Sequence, residues 1–296
     1  MSLLDEPPAE VTVDEALVRD LLADQAPHLA SGPVTIIGNG WDNVVARIGA
    51  HHVARLPRRQ VAVPLIEHEQ RWLPVLAGRL PVPIPAPVVA GVASDRFPWP
   101  WTVTRWFPGR TAAQAPPADL DRLAGVLGAF LAALHVDAPD DAPSNPVRGI
   151  HLAGRRELTA GWLDRLGSSV PADLGAVWEQ LCELPAWPGP PQWLHGDLHP
   201  DNLVVDDDGL VAVIDWGDLT AGDPATDLAI AWLLLPPGPR ARLRAELAYD
   251  DQTWLRGMGW ALSLAAALAV HSVQNRTYEA LGRATLSAIL DDLRTR

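Results

Sequence analysis

The sequence contains no lysine; all 23 of its basic residues are arginine. Chemistry that ordinarily uses an ammonium must be carried out here by a longer, planar guanidinium, or not at all. Cysteine is nearly as scarce. Cys182 is the only one in 296 residues, which excludes an intrachain disulfide and fits a reducing compartment. Its apolar neighbours Leu181 and Leu184 mark it as a buried structural thiol rather than a nucleophile. No apolar run approaches the roughly 20 residues that span a bilayer, so no membrane partner is expected. Met1 to Glu10 is acidic and proline-containing, unlike a secretory signal, and a cytoplasmic location is expected. Positive charge is in deficit overall: the net charge of −13 is the wrong sign for a nucleic-acid partner, whose phosphates need a basic surface.

What is present is apolar material, 48% of the chain, enough for two packed units at this length. The charge is uneven. Residues 1–109 hold 11 acids and 9 arginines, whereas residues 110–296 hold 25 acids and 14 arginines. An acidic C-terminal part attracts a cationic substrate through its summed field; the same charge also serves simply as a solvated, soluble surface.

Along the chain, Thr12 and Glu15 have the spacing of a capping box, predicting a helix from there to about Leu29. Three β-like runs follow, Val34–Ile37, Val44–Ile48 and His52–Leu56, separated by Gly, Asn and Asp. Val61 to Leu76 reads as a helix with Glu69 inside it. Val88–Val92 and Trp101–Trp106 complete about five strands, and Pro108-Gly109 reads as a hinge. Beyond it the periodicity becomes helical, as in Leu120–His135, Gln252–His271 and Arg276–Leu293, with one loop-and-strand insert over 192–216. The expected fold class is α+β in two lobes, a small β-rich lobe over 1–107 and a larger, mainly helical one over 108–296.

The strongest chemical signal is Trp193-Leu194-His195-Gly196-Asp197-Leu198-His199-Pro200-Asp201-Asn202, followed by Val213-Ile214-Asp215-Trp216. Phosphoryl transfer needs a carboxylate to orient a hydroxyl and take its proton, and oxygen ligands that hold Mg²⁺ on the phosphates. An Asp and an Asn on one tight loop, with a second Asp on the next strand pair, supply both. Protein kinases carry this pattern as H-R-D-x-x-x-x-N followed by D-F-G.

The string HGDLHPDNLVV…AVIDWGDLTAGDPATDLA resembles the signature of aminoglycoside phosphotransferases and their relatives, a protein-kinase-like superfamily that includes macrolide, choline, homoserine and fructosamine kinases. The resemblance implies a bilobal kinase-like fold and an ATP- or GTP-dependent phosphotransferase acting on a small-molecule hydroxyl. It implies Asp197 as the catalytic base, Asn202 and Asp215 as Mg²⁺ ligands, and His195 as the residue that shapes the catalytic loop. Asp223 with Pro224 would start the next helix, and Asp227 would bond the loop backbone. Gly38 and Gly40, in Ile37-Gly38-Asn39-Gly40-Trp41-Asp42-Asn43-Val44, match the nucleotide loop. Arg55 stands where kinases place a lysine that holds the α/β-phosphates, with Glu69 as its paired acid. Arg105, Trp106 and Phe107 would offer backbone groups to the purine.

Other readings compete. His195, Asp197 and His199 alternate as zinc ligands can. Asp201 and Asp218 read either as solvated surface or as an extension of the acidic site toward a substrate amine. Asp206-Asp207-Asp208-Gly209 reads as a turn before a cation loop. His135 reads as a helix terminus. Trp193 and Trp216 read as packing, as do Trp254 and Trp260, which would otherwise line an acceptor pocket. The acceptor divides between an aminoglycoside-like or other antibiotic, toward which the acidic half leans, and a metabolic alcohol. A kinase-like binding protein without activity is the reading from outside enzymes.

Overall fold

Asp14, not Thr12, opens the first helix. In the computed structural model, which describes residues 8–40, 42–272 and 275–294, Asp14 Oδ1 accepts the Leu17 N–H at 2.8 Å. A charged acceptor facing the positive end of a helix outcompetes the Thr12 hydroxyl. The helix α1 (Glu15–Gln25) stops before Leu29 because Pro27 disfavours helical backbone at Ala26, where φ is −145°. Residues 1–7 of the acidic start, and Trp41 of the glycine loop, lie outside the described residues.

Two compact units emerge: Met1–Pro108 with Ala212–Gly217, and Gly109–Val211 with Asp218–Arg296. The first is built on a five-stranded sheet of order β1-β2-β3-β5-β4. Its strands are β1 (Val34–Asn39), β2 (Asn43–Ile48), β3 (His52–Pro57), β4 (Pro87–Gly91) and β5 (Trp101–Arg105), paired antiparallel throughout. Val18, Leu21 and Leu22 of α1 join Ala46, Ile48, Ala54, Leu56, Trp101 and Val103 of the sheet in one core. Burying each of the Val, Leu and Ile side chains contributes about 1.5–3 kcal/mol, which an 11-residue helix, too short to persist alone, requires. The second helix, α2 (Val63–Ala77), brings Glu69 into the interior. Its Gln70 Nε2 ties it to the sheet through Gly91 O at 3.1 Å and Trp101 O at 2.8 Å. The returning segment Ala212–Gly217 is fastened here by Val213 N–H on Pro83 O at 3.0 Å and by the fully buried Trp216, whose Nε1 donates to Val213 O at 3.0 Å.

The second unit is mainly helical: α3 (Leu120–Leu134), α4 (Arg156–Leu166), α5 (Leu174–Cys182), α6 (Ile230–Leu234), α7 (Pro237–Glu246), α8 (Asp251–His271) and α9 (Arg276–Arg294). Short strands interrupt the helices: β6 (Arg110–Thr111), β7 (Gln192–Leu194), β8 (Leu203–Asp206), β9 (Gly209–Val213) and β10 (Thr220–Gly222). They form the sheets β6-β8-β9 and β10-β7. Asp206 Oδ1 accepts from the Asp208 and Gly209 N–H groups at 2.9 and 3.1 Å, so the three consecutive aspartates make the β8–β9 turn. The core helix α8 corrects the reading of apolar runs. At 21 residues and a mean hydropathy of 1.2 it is long and apolar enough to cross a membrane by length and composition, yet 83% of its apolar window is buried inside the protein. Its Arg256, which interrupts the run in sequence, is buried on Asp223 with Nε donating to Oδ2 at 2.7 Å.

Candidate active site

β7 ends at Leu194 and leads into the loop His195–Asn202, held from beneath by one carboxylate. Asp227, with no exposure, accepts the His195 N–H on Oδ2 at 2.8 Å and the Gly196 N–H on Oδ1 at 2.9 Å. Gly196 turns the chain at φ +87°, and a Cβ there would stand 2.2 Å from Asp218 O, so only glycine fits. His195 is buried, and its Nδ1 accepts the Asp197 N–H at 3.3 Å. Asn202 Nδ2 donates to Asp197 O at 2.9 Å, leaving its carbonyl oxygen as the ligand-type atom.

The Asp197 carboxylate receives Arg148 Nη2 on Oδ1 at 2.8 Å, and its Oδ2 lies 3.5 Å from His199 Nε2. Burial alone would push its pKa up, but hydrogen bonding to His199 and the charge of Arg148, with the neighbouring histidines, hold it well below the usual carboxylate range. It is therefore ionised at neutral pH.

Asp227 is itself oriented. Its Oδ2 lies 3.2 Å from His135 Nε2, and His135 Nδ1 lies 3.0 Å from Tyr249 Oη. Tyr249 Oη donates to Gln192 Oε1 at 3.0 Å, which returns the network to β7. His135 thus does more than end α3: it reaches across to brace the loop.

In the first unit, Arg55 on β3 joins two acids. Its Nη1 donates to Glu69 Oε1 at 2.6 Å and its Nη2 to Asp215 Oδ1 at 3.2 Å. Burial works against the Arg55 charge, but Glu69 and then Asp215 outweigh it and raise the guanidinium's pKa further. Asp215 is the sole non-glycine residue with positive φ, +61°, among the described residues. Its side chain keeps 62% of its exposure, so a strained backbone presents a carboxylate outward.

Gly38 lies near the end of β1 and Gly40 in the β1–β2 connection. Arg58 Nη1 holds Gly40 O at 2.8 Å, and Arg59 Nη2 holds Asp42 Oδ1 at 2.8 Å. A Cβ on Gly38 would make only an ordinary contact with Val45 at 4.0 Å, so packing does not demand glycine there. At the end of β5, Trp106 N–H already donates to His51 O at 2.7 Å and is not available to a purine. The Trp106 ring carries the Arg47 guanidinium at 4.0 Å. Arg105 pairs with His52 in the sheet register, and Phe107 follows Trp106, half-buried.

Residues 33–260 match the phosphotransferase enzyme family, APH. The chain belongs to this family. YcbJ, an uncharacterised protein of Bacillus subtilis strain 168, is 31% identical over 143 residues, 46% of this chain and 44% of that protein. An Escherichia coli aminoglycoside 3'-phosphotransferase is 29% identical over 163 residues, 51% of this chain and 59% of that one. The chain spans about half the length of the curated relatives it matches. Among solved structures, the GDP complex of aminoglycoside 2'-phosphotransferase-IIIa superposes with a TM-score of 0.70 at 20% identity, covering 95% of this chain and 99% of that one. Macrolide 2'-phosphotransferase MphH from Brachybacterium faecium gives 0.61 at 24%, covering 92% and 97%. These likenesses establish the fold as α+β and kinase-like.

In this family member, several side readings change. Asp201 is neither solvated surface nor open to an amine: Thr111 Oγ1 donates to its Oδ1 at 2.5 Å and Tyr278 Oη to its Oδ2. Asp218 is taken by Asn145 Nδ2 at 2.7 Å and faces Arg148 Nε at 3.5 Å. Trp254 and Trp260 are buried to 1% and 0% exposure, so neither stacks on an acceptor. Among the described residues no group of three or more His, Cys, Asp or Glu is arranged to hold a metal ion. Arg148 was missed. It lies on an irregular loop far upstream of the motif, and no local pattern marks it.

Proposed function

We propose that this chain transfers the γ-phosphoryl group of ATP or GTP to a hydroxyl of a small molecule. The observation that carries the reading is the Asp197–Asn202 loop, held by the buried Asp227 with an ionised carboxylate at its turn. Asp197 orients the hydroxyl and accepts its proton; His195 acts on the loop rather than on substrate. Arg55, kept charged by Glu69 and Asp215, is assigned the phosphates. Gly38 and Gly40 are assigned their backbone approach, and the purine falls to the segment Arg105–Phe107 through groups other than the Trp106 N–H.

Mg²⁺ is the implied cofactor. Its chemistry calls for hard oxygen donors, few of them from protein. Asn202, whose Nδ2 is committed to Asp197 O, and Asp215, whose carboxylate is exposed, are such donors. When bound, the ion neutralises charge on the phosphates. The relatives are named for aminoglycosides and a macrolide, so antibiotic hydroxyls are the first acceptors to test, with metabolic alcohols beside them. A cytoplasmic location, where nucleoside triphosphates are abundant, suits this activity.

The test is Mg²⁺-dependent loss of γ-phosphate from ATP and GTP against that acceptor panel, with Asp197→Ala as control. Acceptor-stimulated turnover that disappears in the variant is expected. Nucleotide binding without turnover on any acceptor would reject the enzyme in favour of a binding module.

A further inference from the structure

Arg148 occupies the carboxylate that would serve the acceptor, and the fold builds its position. Its side chain is 15% exposed, with Nη2 on Asp197 Oδ1 at 2.8 Å and Nε 3.5 Å from Asp218 Oδ2. The loop is fastened on both sides of it. Upstream, Asn145 Nδ2 donates to Asp218 Oδ1 at 2.7 Å, and Asn145 Oδ1 accepts the Val147 N–H at 2.9 Å. Downstream, Gly149 N–H donates to Thr226 Oγ1 at 3.2 Å, and Gly149 O accepts the Asp223 N–H at 2.9 Å. Gly149 and Gly222 approach so closely that a Cβ on Gly222 would lie 2.2 Å from Gly149 O.

The local charge is therefore balanced from within. Asp197 and Asp218 share Arg148, and Asp201 is held by Thr111 and Tyr278. A second cation, the buried Arg155, is near enough that Arg148 helps lower its pKa, which burial mainly brings to about 10. An ammonium on the acceptor would find Asp197, Asp201 and Asp218 each already engaged and would face Arg148 as a like charge. An anionic acceptor fares no better at longer range, where residues 110–296 carry 25 acids against 14 arginines. An uncharged hydroxyl compound meets neither obstacle.

We propose that Arg148 is a specificity-determining residue that selects an uncharged alcohol of the sugar or polyol class over acceptors bearing an ammonium group beside the reacting hydroxyl. The proposal rests on the phosphotransferase reading above and deepens it. It opposes the lean toward cationic acceptors that the acidic half suggests, because a fixed counter-ion at the site outweighs a diffuse field that salt screens.

The experiment uses the full chain with Mg²⁺ and ATP or GTP, and acceptors in pairs that differ by one ammonium, such as glucose with glucosamine, together with kanamycin and myo-inositol. The wild type is expected to favour the neutral member in kcat/KM by about 10-fold or more, with a KM that does not respond to salt. Arg148→Met should narrow or reverse that ratio, and Arg148→Lys, which keeps the charge, should preserve it. Preference of the wild type for the amine members, abolished by Asp197→Ala, would overturn the inference while leaving the phosphotransferase intact. An unchanged ratio in a folded Arg148→Met protein would also overturn it. If that variant does not fold, the wild-type ratio and Arg148→Lys decide. Turnover with no acceptor, and no effect of Asp197→Ala, would reject both readings together.

Discussion

Replacing Asp227 by asparagine should loosen the His195–Asn202 loop while leaving the side chains of Asp197 and Asn202 in place. The carboxylate has no exposure and meets three partners: His195 N–H at 2.8 Å, Gly196 N–H at 2.9 Å and His135 Nε2 at 3.2 Å. Asparagine keeps one oxygen, and its amide turns a donor toward whichever partner it loses. A buried N–H left without an acceptor costs about 1–3 kcal/mol, and the surviving bond falls from the charged to the neutral class, about another 1 kcal/mol. A total near 3 kcal/mol corresponds to a fall in melting temperature of about 6–12 °C for a body the size of the second unit. Circular dichroism melts would read the stability. In parallel, kcat should fall with nucleotide affinity little changed, because the loop and not the Arg55 cluster is disturbed. An Asp227→Asn protein that melts within about 2 °C of the parent with unaltered kcat would refute the claim that this carboxylate holds the loop.

Other expectations follow from single contacts. Gly196→Ala places a Cβ 2.2 Å from Asp218 O on a backbone of φ +87°. It should displace Asp197 and lower kcat/KM by about 100-fold; parental kinetics would contradict the geometry. Glu69→Ala leaves Arg55 with Asp215 alone, and the loss of the 2.6 Å pair at a side chain of 1% exposure should cost about 3 kcal/mol in urea unfolding. A midpoint equal to the parent's would show that the pair contributes nothing. Burial pushes the Cys182 thiol up to about 11, so below that pH it stays protonated, and near pH 8 iodoacetamide should label it only after unfolding. Rapid alkylation of the native protein would count against its burial.

Much of this protein is decided by short-range sequence. Alternation over Val44–Ile48 makes a hairpin strand with Val44, Ala46 and Ile48 on the buried face, because neighbouring side chains must take opposite faces. The apolar spacing of Leu123, Leu127, Phe130, Leu131 and Leu134 makes one buried face of α3. The loop His195–Asn202 was legible for the same reason, since its Asp, its Asn and its positive-φ glycine lie within a few residues of one another. Local pattern failed where two neighbours fit it equally well, as Thr12 and Asp14 did. At α8 it found the helix, Gln252–His271 against the observed Asp251–His271, but not that Arg256, which breaks the apolar run in sequence, lies on Asp223 in space.

Only the tertiary structure decided which charges are available. Asp201 and Asp218 look alike in sequence, as acids near a motif, yet each is consumed by residues from elsewhere in the chain, Asp218 by Asn145 73 positions away. Arg148 reaches Asp197 across 49 positions and His135 reaches Asp227 across 92. Electrostatic pairing falls off with distance in space and not along the chain. The sequence therefore determined that an Asp and an Asn share one loop, and the folded chain alone determined which charges surround them.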